Sequence, residues 1–254
     1  MELPLFPLNT VLCPGIALPL HIFEDRYRAL VRHCIDTTSP FGIVLIREGR
    51  EVGTGAIAFT GIGTIAEIRD AGKYEDGRFD LLVVGTRRFE IRRVLSGRRP
   101  YLVAEVEVLD EHVGDEEAAH RLAMTATRHF VSYLELLQPR SGETADEIDV
   151  RVEVETDDDE PEGEGGEPDP GDPDAGDEPR KRRVMIPDDP TILSYLLAGI
   201  VQVESPRRQA LLEAETTEAR LRSLLRVIDR EIFFLERRLR IFAPDARLLG
   251  SRRS

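Results

Sequence analysis

Reactive side chains are scarce in this 254-residue chain: five histidines (His21, His33, His112, His120, His129), two cysteines (Cys13, Cys34) and two lysines (Lys73, Lys181). The histidines show no ligand spacing, and the two cysteines are too far apart for a Cys-x-x-Cys metal site or a disulfide framework. His33 and Cys34 are adjacent, but neighbours on a helix point in different directions, so they make a poor nucleophile and base. A Ser-Lys dyad would have to use Lys73, beside Gly72 in a turn, or Lys181, within Arg180-Lys181-Arg182-Arg183. The phosphate-loop motif, the Gly-x-Ser-x-Gly elbow and the His-Glu-x-x-His helix are all missing from the sequence. Gly61-Ile62-Gly63-Thr64-Ile65-Ala66 fits the loose Gly-x-Gly-x-x-Ala form of a dinucleotide fingerprint, yet its flanks read as strand on both sides. A bulge or tight bend inside a strand is therefore expected there. These residues imply no catalytic group, no metal and no cofactor.

The elements that must position any binding surface follow from periodicity. Phe41-Gly42-Ile43-Val44-Leu45-Ile46 is a short apolar run, which suits a strand buried on both faces. Tyr101 to Leu109 alternates, with Ala104, Val106 and Val108 on one face and Glu105 and Glu107 on the other. Further strands are expected at Ile16 to Ile22, Ala56 to Ile68, Phe79 to Val84 and Phe89 to Leu95, the last two forming a hairpin that carries Arg87 and Arg88. One helix interrupts them, with Tyr27, Leu30, Val31 and Cys34 at helical spacing after Phe23-Glu24-Asp25.

From Asp115 the period becomes 3.6, and Leu122, Ala126, Phe130, Leu134 and Leu137 line one face of a helix ending near Pro139. Asp189-Pro190 and Ser205-Pro206 each set a capping side chain before a proline, which predicts two helix starts. Leu221, Leu225, Ile228, Ile232, Leu235, Leu239 and Phe242 form a heptad seam. That seam either packs on the chain's own helices or pairs two copies into a homodimer.

The net charge of −14 is local. Between Glu143 and Glu178 lie 18 acidic residues and one basic residue, Arg151, so this stretch carries −17 and the remainder +3. Residues 161–179 hold ten Gly or Pro in nineteen positions, a composition that buries no core and predicts disorder. The near-neutral remainder lacks the basic field that nucleic acid requires. The longest nearly apolar run, Ile192 to Val201, is far short of the roughly 20 residues that span a bilayer. No nucleic-acid or membrane partner is expected, and few cysteines with no basic leader at Met1-Glu2-Leu3-Pro4 fit a cytoplasmic protein.

Leu3-Pro4-Leu5-Phe6-Pro7-Leu8-Asn9, followed by Pro14-Gly15-Ile16-Ala17-Leu18-Pro19-Leu20-His21-Ile22-Phe23-Glu24-Asp25-Arg26-Tyr27, resembles the opening of the Lon protease N-terminal substrate-binding domain family. Gly53-Thr54-Gly55, Val84-Gly85-Thr86-Arg87-Arg88-Phe89 and Ser205-Pro206-Arg207-Arg208-Gln209-Ala210-Leu211-Leu212-Glu213 resemble later parts of it in order. The resemblance implies an α+β fold, with an N-terminal PUA-like pseudo β-barrel followed by a C-terminal helical bundle. The implied division is a barrel over 1–112, a first helix over 113–141, an acidic disordered insertion over 142–183, further helices over 184–243 and a flexible tail over 244–254. It also implies a stand-alone bacterial module without the ATPase and peptidase parts that follow this region in Lon proteases.

Three function classes follow: a non-catalytic module or adaptor that binds unfolded or tagged polypeptides or a protein partner, a scaffold dimerised through the heptad helix, and a small-molecule enzyme with a site in the barrel. Leu3, Leu5, Phe6, Leu18, Leu20 and Phe89 are expected in the core, and Pro14-Gly15 at a turn. Arg87, Arg88, Phe23 and Tyr27 are the candidate partner contacts. For the two arginines, a solvated or internally paired role is the competing expectation.

Overall fold

A computed structural model of the chain describes residues 1–48, 58–95, 97, 99–137, 151–154 and 183–242, with backbone alone at 151–154, 183–185 and 238–242. It is a mixed fold of strands followed by helices. The sheet contains β1 (Glu2–Leu8), β2 (Ala17–Ile22), β3 (Phe41–Glu48), β4 (Ala58–Phe59), β5 (Ile62–Lys73), β6 (Phe79–Leu95) and β7 (Leu102–Val108). Its order is β1-β7-β6-β5-β3-β4, and β1 also pairs in parallel with β3, so β1, β7, β6, β5 and β3 form a closed circuit. Strand β2 lies off that circuit and pairs only with the first part of β6, Ala17 facing Val84 and Ile22 facing Phe79. Helix α1 (Asp25–Thr37) follows it and buries the four expected residues, Tyr27, Leu30, Val31 and Cys34.

Phe79–Val84 and Phe89–Leu95 are not a hairpin but the two ends of one 17-residue strand, β6. Gly85 lies inside that strand at a place where only glycine fits: a Cβ there would lie 2.4 Å from the Cys13 carbonyl oxygen. Arg87 and Arg88 therefore sit mid-strand. Gly63 behaves likewise, since a Cβ there would meet the Ile43 carbonyl oxygen at 2.4 Å. Gly61 marks the bend between β4 and β5, and strand flanks the glycines, as expected for a bend and not for a dinucleotide site. Gly15 has φ +78° and makes the turn before β2, its N–H donating to the Gly85 carbonyl.

The core forms two clusters: Leu3, Leu5 and Phe89 are buried in one, and Phe6 is buried with residues of α1 in the other, against which Leu18 and Leu20 are half-buried. Burial in β3 is continuous from Phe41 to Ile46, as a strand covered on both faces requires.

Among the helices, α2 (Glu116–Leu137) buries Ala119, Ala123, Ala126, Phe130 and Tyr133. The buried stripe is thus rotated from the leucine face expected: Leu122 and Leu134 are half-buried and Leu137 is exposed. Helix α3 (Pro190–Ile200) starts at the expected proline. Helix α4 (Ser205–Leu212) is capped at Glu204, not Ser205, whose hydroxyl donates to the Asn9 carbonyl at 2.9 Å. Along α5 (Thr217–Phe242), Leu221 and Ile228 of the seam are fully buried, whereas Leu225, Ile232 and Leu235 are half-buried.

The expected insertion is described only at its ends, where β8 (Arg151–Val154) pairs in parallel with β9 (Arg183–Ile186). Residues 155–182, including the Gly/Pro-rich stretch and Arg180-Lys181-Arg182, lie outside the described residues. By contact the chain divides into two compact units, Met1–Ala123 with Pro190–Leu224, and Met124–Asp189 with Leu225–Ser254. Both clusters discussed below belong to the first unit.

Candidate functional site

The first cluster is centred on Glu111, just after β7. Arg88, 2% exposed, forms a two-pronged pair with its carboxylate, at 2.8 Å to Oε1 and 3.2 Å to Oε2. Tyr195 of α3 donates its hydroxyl to the same carboxylate at 2.8 Å, and Arg220 of α5 reaches it at 3.4 Å. Arg220 has no exposed surface, sits 3.8 Å over the Tyr195 ring, and donates also to Ser194 Oγ and the Leu211 carbonyl. Arg88 spends its remaining donors on the carbonyls of Leu212 and Ala214. Burial alone would raise the Glu111 pKa, but hydrogen bonds from Arg88 and Tyr195 and the two guanidinium charges outweigh it and hold the pKa low. Both carboxylate oxygens of Glu111 accept from Arg88 and Tyr195, so this cluster joins strand to helices.

Arg88 is thereby removed from the candidate partner contacts, because a guanidinium closed within its own chain cannot reach another. Tyr27, 4% exposed, is a core residue packed on Phe6 with ring centroids 4.2 Å apart, which removes it as well. Arg87 is exposed and pairs loosely with Asp110 at 3.4 Å. Cys34 is buried, its thiol pushed up to about 11 by burial, while His33 stacks on Tyr101. They form no nucleophile and base. The Cys13 thiol is likewise raised to about 11 by burial. Among the described residues no group of three His, Cys, Asp or Glu could hold a metal ion, and no helix is long and apolar enough to cross a membrane.

Phe23 is different. It is 50% exposed and heads a second cluster on the ribbon formed by β2, the first part of β6 and the last part of β5. Alternation turns Pro19, His21, Asp80 and Leu82 outward, with Pro19 facing Leu82 and His21 facing Asp80 across the strands. His21 stacks on Phe23 and meets Tyr74 edge-on, both at 6.2 Å between centroids. One carboxylate fixes this group: Asp80 accepts from His21 Nδ1 at 2.6 Å and from the Tyr74 hydroxyl. Those two bonds hold the Asp80 pKa low, and the bond to Asp80 pushes the Tyr74 phenol up. Arg78 lies 5.4 Å over the Tyr74 ring.

The result is an exposed apolar and aromatic surface in which Asp80 fixes His21 and Tyr74 before anything binds, with Phe23 beside them. Sequence reasoning found Phe23 but missed His21, Tyr74 and Leu82. Tyr74 beside the Asp76-Gly77 turn was the available signal, since turns sit at the surface and large aromatics there need a reason. Leu82 was hidden inside the unbroken apolar run Leu81 to Val84.

Residues 2–230 match the profile of the ATP-dependent protease La (LON) substrate-binding domain. The chain belongs to that family. Among solved structures, a Lon N-terminal domain protein from Xanthomonas campestris is similar at TM-score 0.55 and 26% identity, covering 89% of this chain and 98% of that one. The N-terminal domain of the Mycobacterium avium complex Lon protease shows the same fold at TM-score 0.59 and 19% identity, covering 90% of this chain and 98% of that one.

Relatives by sequence include the Lon protease of Anaeromyxobacter dehalogenans, 29% identical over 53% of this chain and 16% of the relative. The Brevibacillus choshinensis Lon protease is 24% identical over 94% of this chain and 26% of the relative. The chain thus spans about a seventh to a quarter of the length of the curated relatives it matches.

Proposed function

We propose that this chain captures segments of non-native polypeptide on the Phe23, His21, Tyr74 and Leu82 surface, acting by binding and performing no bond chemistry of its own. The carrying observation is the exposed aromatic cluster locked through Asp80 on a paired ribbon. An exposed Phe in a soluble domain costs hydration, and here the ring is additionally oriented. Membership of a substrate-binding family supports the same reading. The closed circuit of five strands supports identifying the sheet with the PUA-like pseudo-barrel that the resemblance implies.

The test uses reduced, carboxymethylated α-lactalbumin, a permanently unfolded chain, carrying a fluorescent label and titrated with the protein. A Phe23→Ala, Tyr74→Ala double variant should weaken binding by about tenfold or more, since aromatic anchors of this kind are worth at least 1 kcal/mol each. Both side chains are surface residues, so the fold should persist. Unchanged affinity in the variant would remove the proposal.

A further inference from the structure

The ribbon has two outer edges, and they differ. On the β2 edge, Pro19 lacks an N–H in mid-strand, which blocks continuous pairing with another strand. The β5 edge has no proline. Strand β3 pairs with β5 only at Thr64, Ile65 and Ala66. Beyond that point β5 runs from Glu67 to Lys73 with β6 on one side and, among the described residues, no strand on the other. Seven residues at about 3.3 Å each make an open edge roughly 20 Å long. The Ala71 N–H donates to Asp70 Oδ1 at 2.9 Å, a side-chain acceptor of its own strand.

Alongside this edge lies a cleft of ≈ 520 Å³, lined by Ile35, Thr38 and Pro40 at the end of α1 and by Ile68, Arg69 and Asp70 of β5. Ile35 is 42% exposed, an apolar side chain left partly open to solvent among the described residues. The charges are unequal: Arg69 is paired with Glu67 at 3.2 Å, whereas the Asp70 carboxylate accepts from the neutral Ala71 amide. An occupant of this cleft gains by offering main-chain hydrogen bonds, an apolar side chain toward Ile35 and a cation toward Asp70.

From this geometry we infer that Glu67–Lys73 of β5 is a strand-addition site that takes an extended polypeptide segment alternating apolar and basic side chains. The inference rests on the proposed polypeptide binding and specifies its mode: the aromatic surface holds side chains, and the edge holds the main chain. Two register shifts interrupt the β5–β6 pairing, between Thr64 and Ala66 with the extra residue in β6 and between Ile68 and Asp70 with the extra residue in β5. They increase the twist of the edge, which admits a short strand and discourages endless stacking of copies.

The experiment titrates the 254-residue chain with a decapeptide of alternating Val and Lys, a copy N-methylated at alternate residues, and a Val/Glu decapeptide. Amide hydrogen exchange of Glu67–Lys73 is followed. The Val/Lys peptide should bind and slow exchange of the edge amides by about tenfold or more, the response to a newly formed ladder. The N-methylated peptide should fail, and the Val/Glu peptide should bind at least about fivefold more weakly, a preference reduced by Asp70→Asn.

Absence of binding by the Val/Lys peptide overturns the inference, as does equal binding by the N-methylated copy or unaltered edge exchange in the bound state. The carboxymethylated α-lactalbumin assay separates the two readings. If that chain still binds through Phe23 and Tyr74 while the edge exchanges freely, the strand-addition site falls and the proposed function stands. If it does not bind at all, the proposed function falls first.

Discussion

Glu111 and Asp80 solve the same local problem in opposite surroundings. Each is a single carboxylate that accepts from a tyrosine hydroxyl and from a nitrogen donor: Tyr195 and Arg88 for Glu111, Tyr74 and His21 for Asp80. Around Glu111 the partners are buried and the donors close on one another, so the cluster fixes strand to helix. Around Asp80 the partners are exposed, with Tyr74 44% accessible, so the same arrangement presents rings to solvent. The chemistry of the carboxylate does not distinguish the roles; what covers it does. Removing Glu111 should cost stability, and removing Asp80 should cost binding.

The sharpest break of that contrast is Glu111→Ala. It strands Arg88 and Arg220 without their anion inside the protein, and loss of one partner of such a pair costs about 3–5 kcal/mol. Urea unfolding followed by circular dichroism should show it, and a loss under 1 kcal/mol would mean the cluster is not what joins these elements. Tyr195→Phe keeps the ring beneath Arg220 and removes only the hydroxyl. The expected loss is about 1.5–3 kcal/mol, the range for hydrogen bonds to a charged group.

Acidity offers a third comparison. A carboxylate whose pKa is lowered on folding contributes stability that is present above its unfolded value, about 4.3, and lost as pH falls through the folded value. Stability of the native protein should therefore fall below about pH 4, and that portion of the fall should be missing in Glu111→Gln when the two unfolding curves are compared. The smallest effect on folding is expected for Asp80→Ala, within about 0.5 kcal/mol as for most surface changes. Its binding of the unfolded probe should nevertheless weaken about threefold to tenfold, because His21 and Tyr74 lose their common anchor. A change in stability without a change in binding would reverse the contrast between the two carboxylates.

Much of the fold could be read from period and punctuation. The stripe of α1, the double burial of β3 and the start of α3 at Pro190 all depend on local spacing, which sequence displays directly. What could not be read depended on distant partners. The buried stripe of α2 runs through Ala119 and Ala123 in place of Leu122 and Leu134, and Gly85 lies inside one long β6 with its face against Cys13. Arg88 carries no sign in its own neighbourhood that its acceptors are Glu111, Leu212 and Ala214. For the candidate site, Phe23 was found through a motif, whereas His21 and Leu82 required the register between β2 and β6 to bring them to one face.

The carbonyls that receive Arg88 lie 124 and 126 positions further along the chain. A ribosome adding about 5–20 residues per second keeps that guanidinium waiting for roughly 6–25 s. Throughout that interval the nascent strands lack the clasp that the last helices bring. Completion of this domain is accordingly a late event in its own synthesis, timed by the emergence of Ala214.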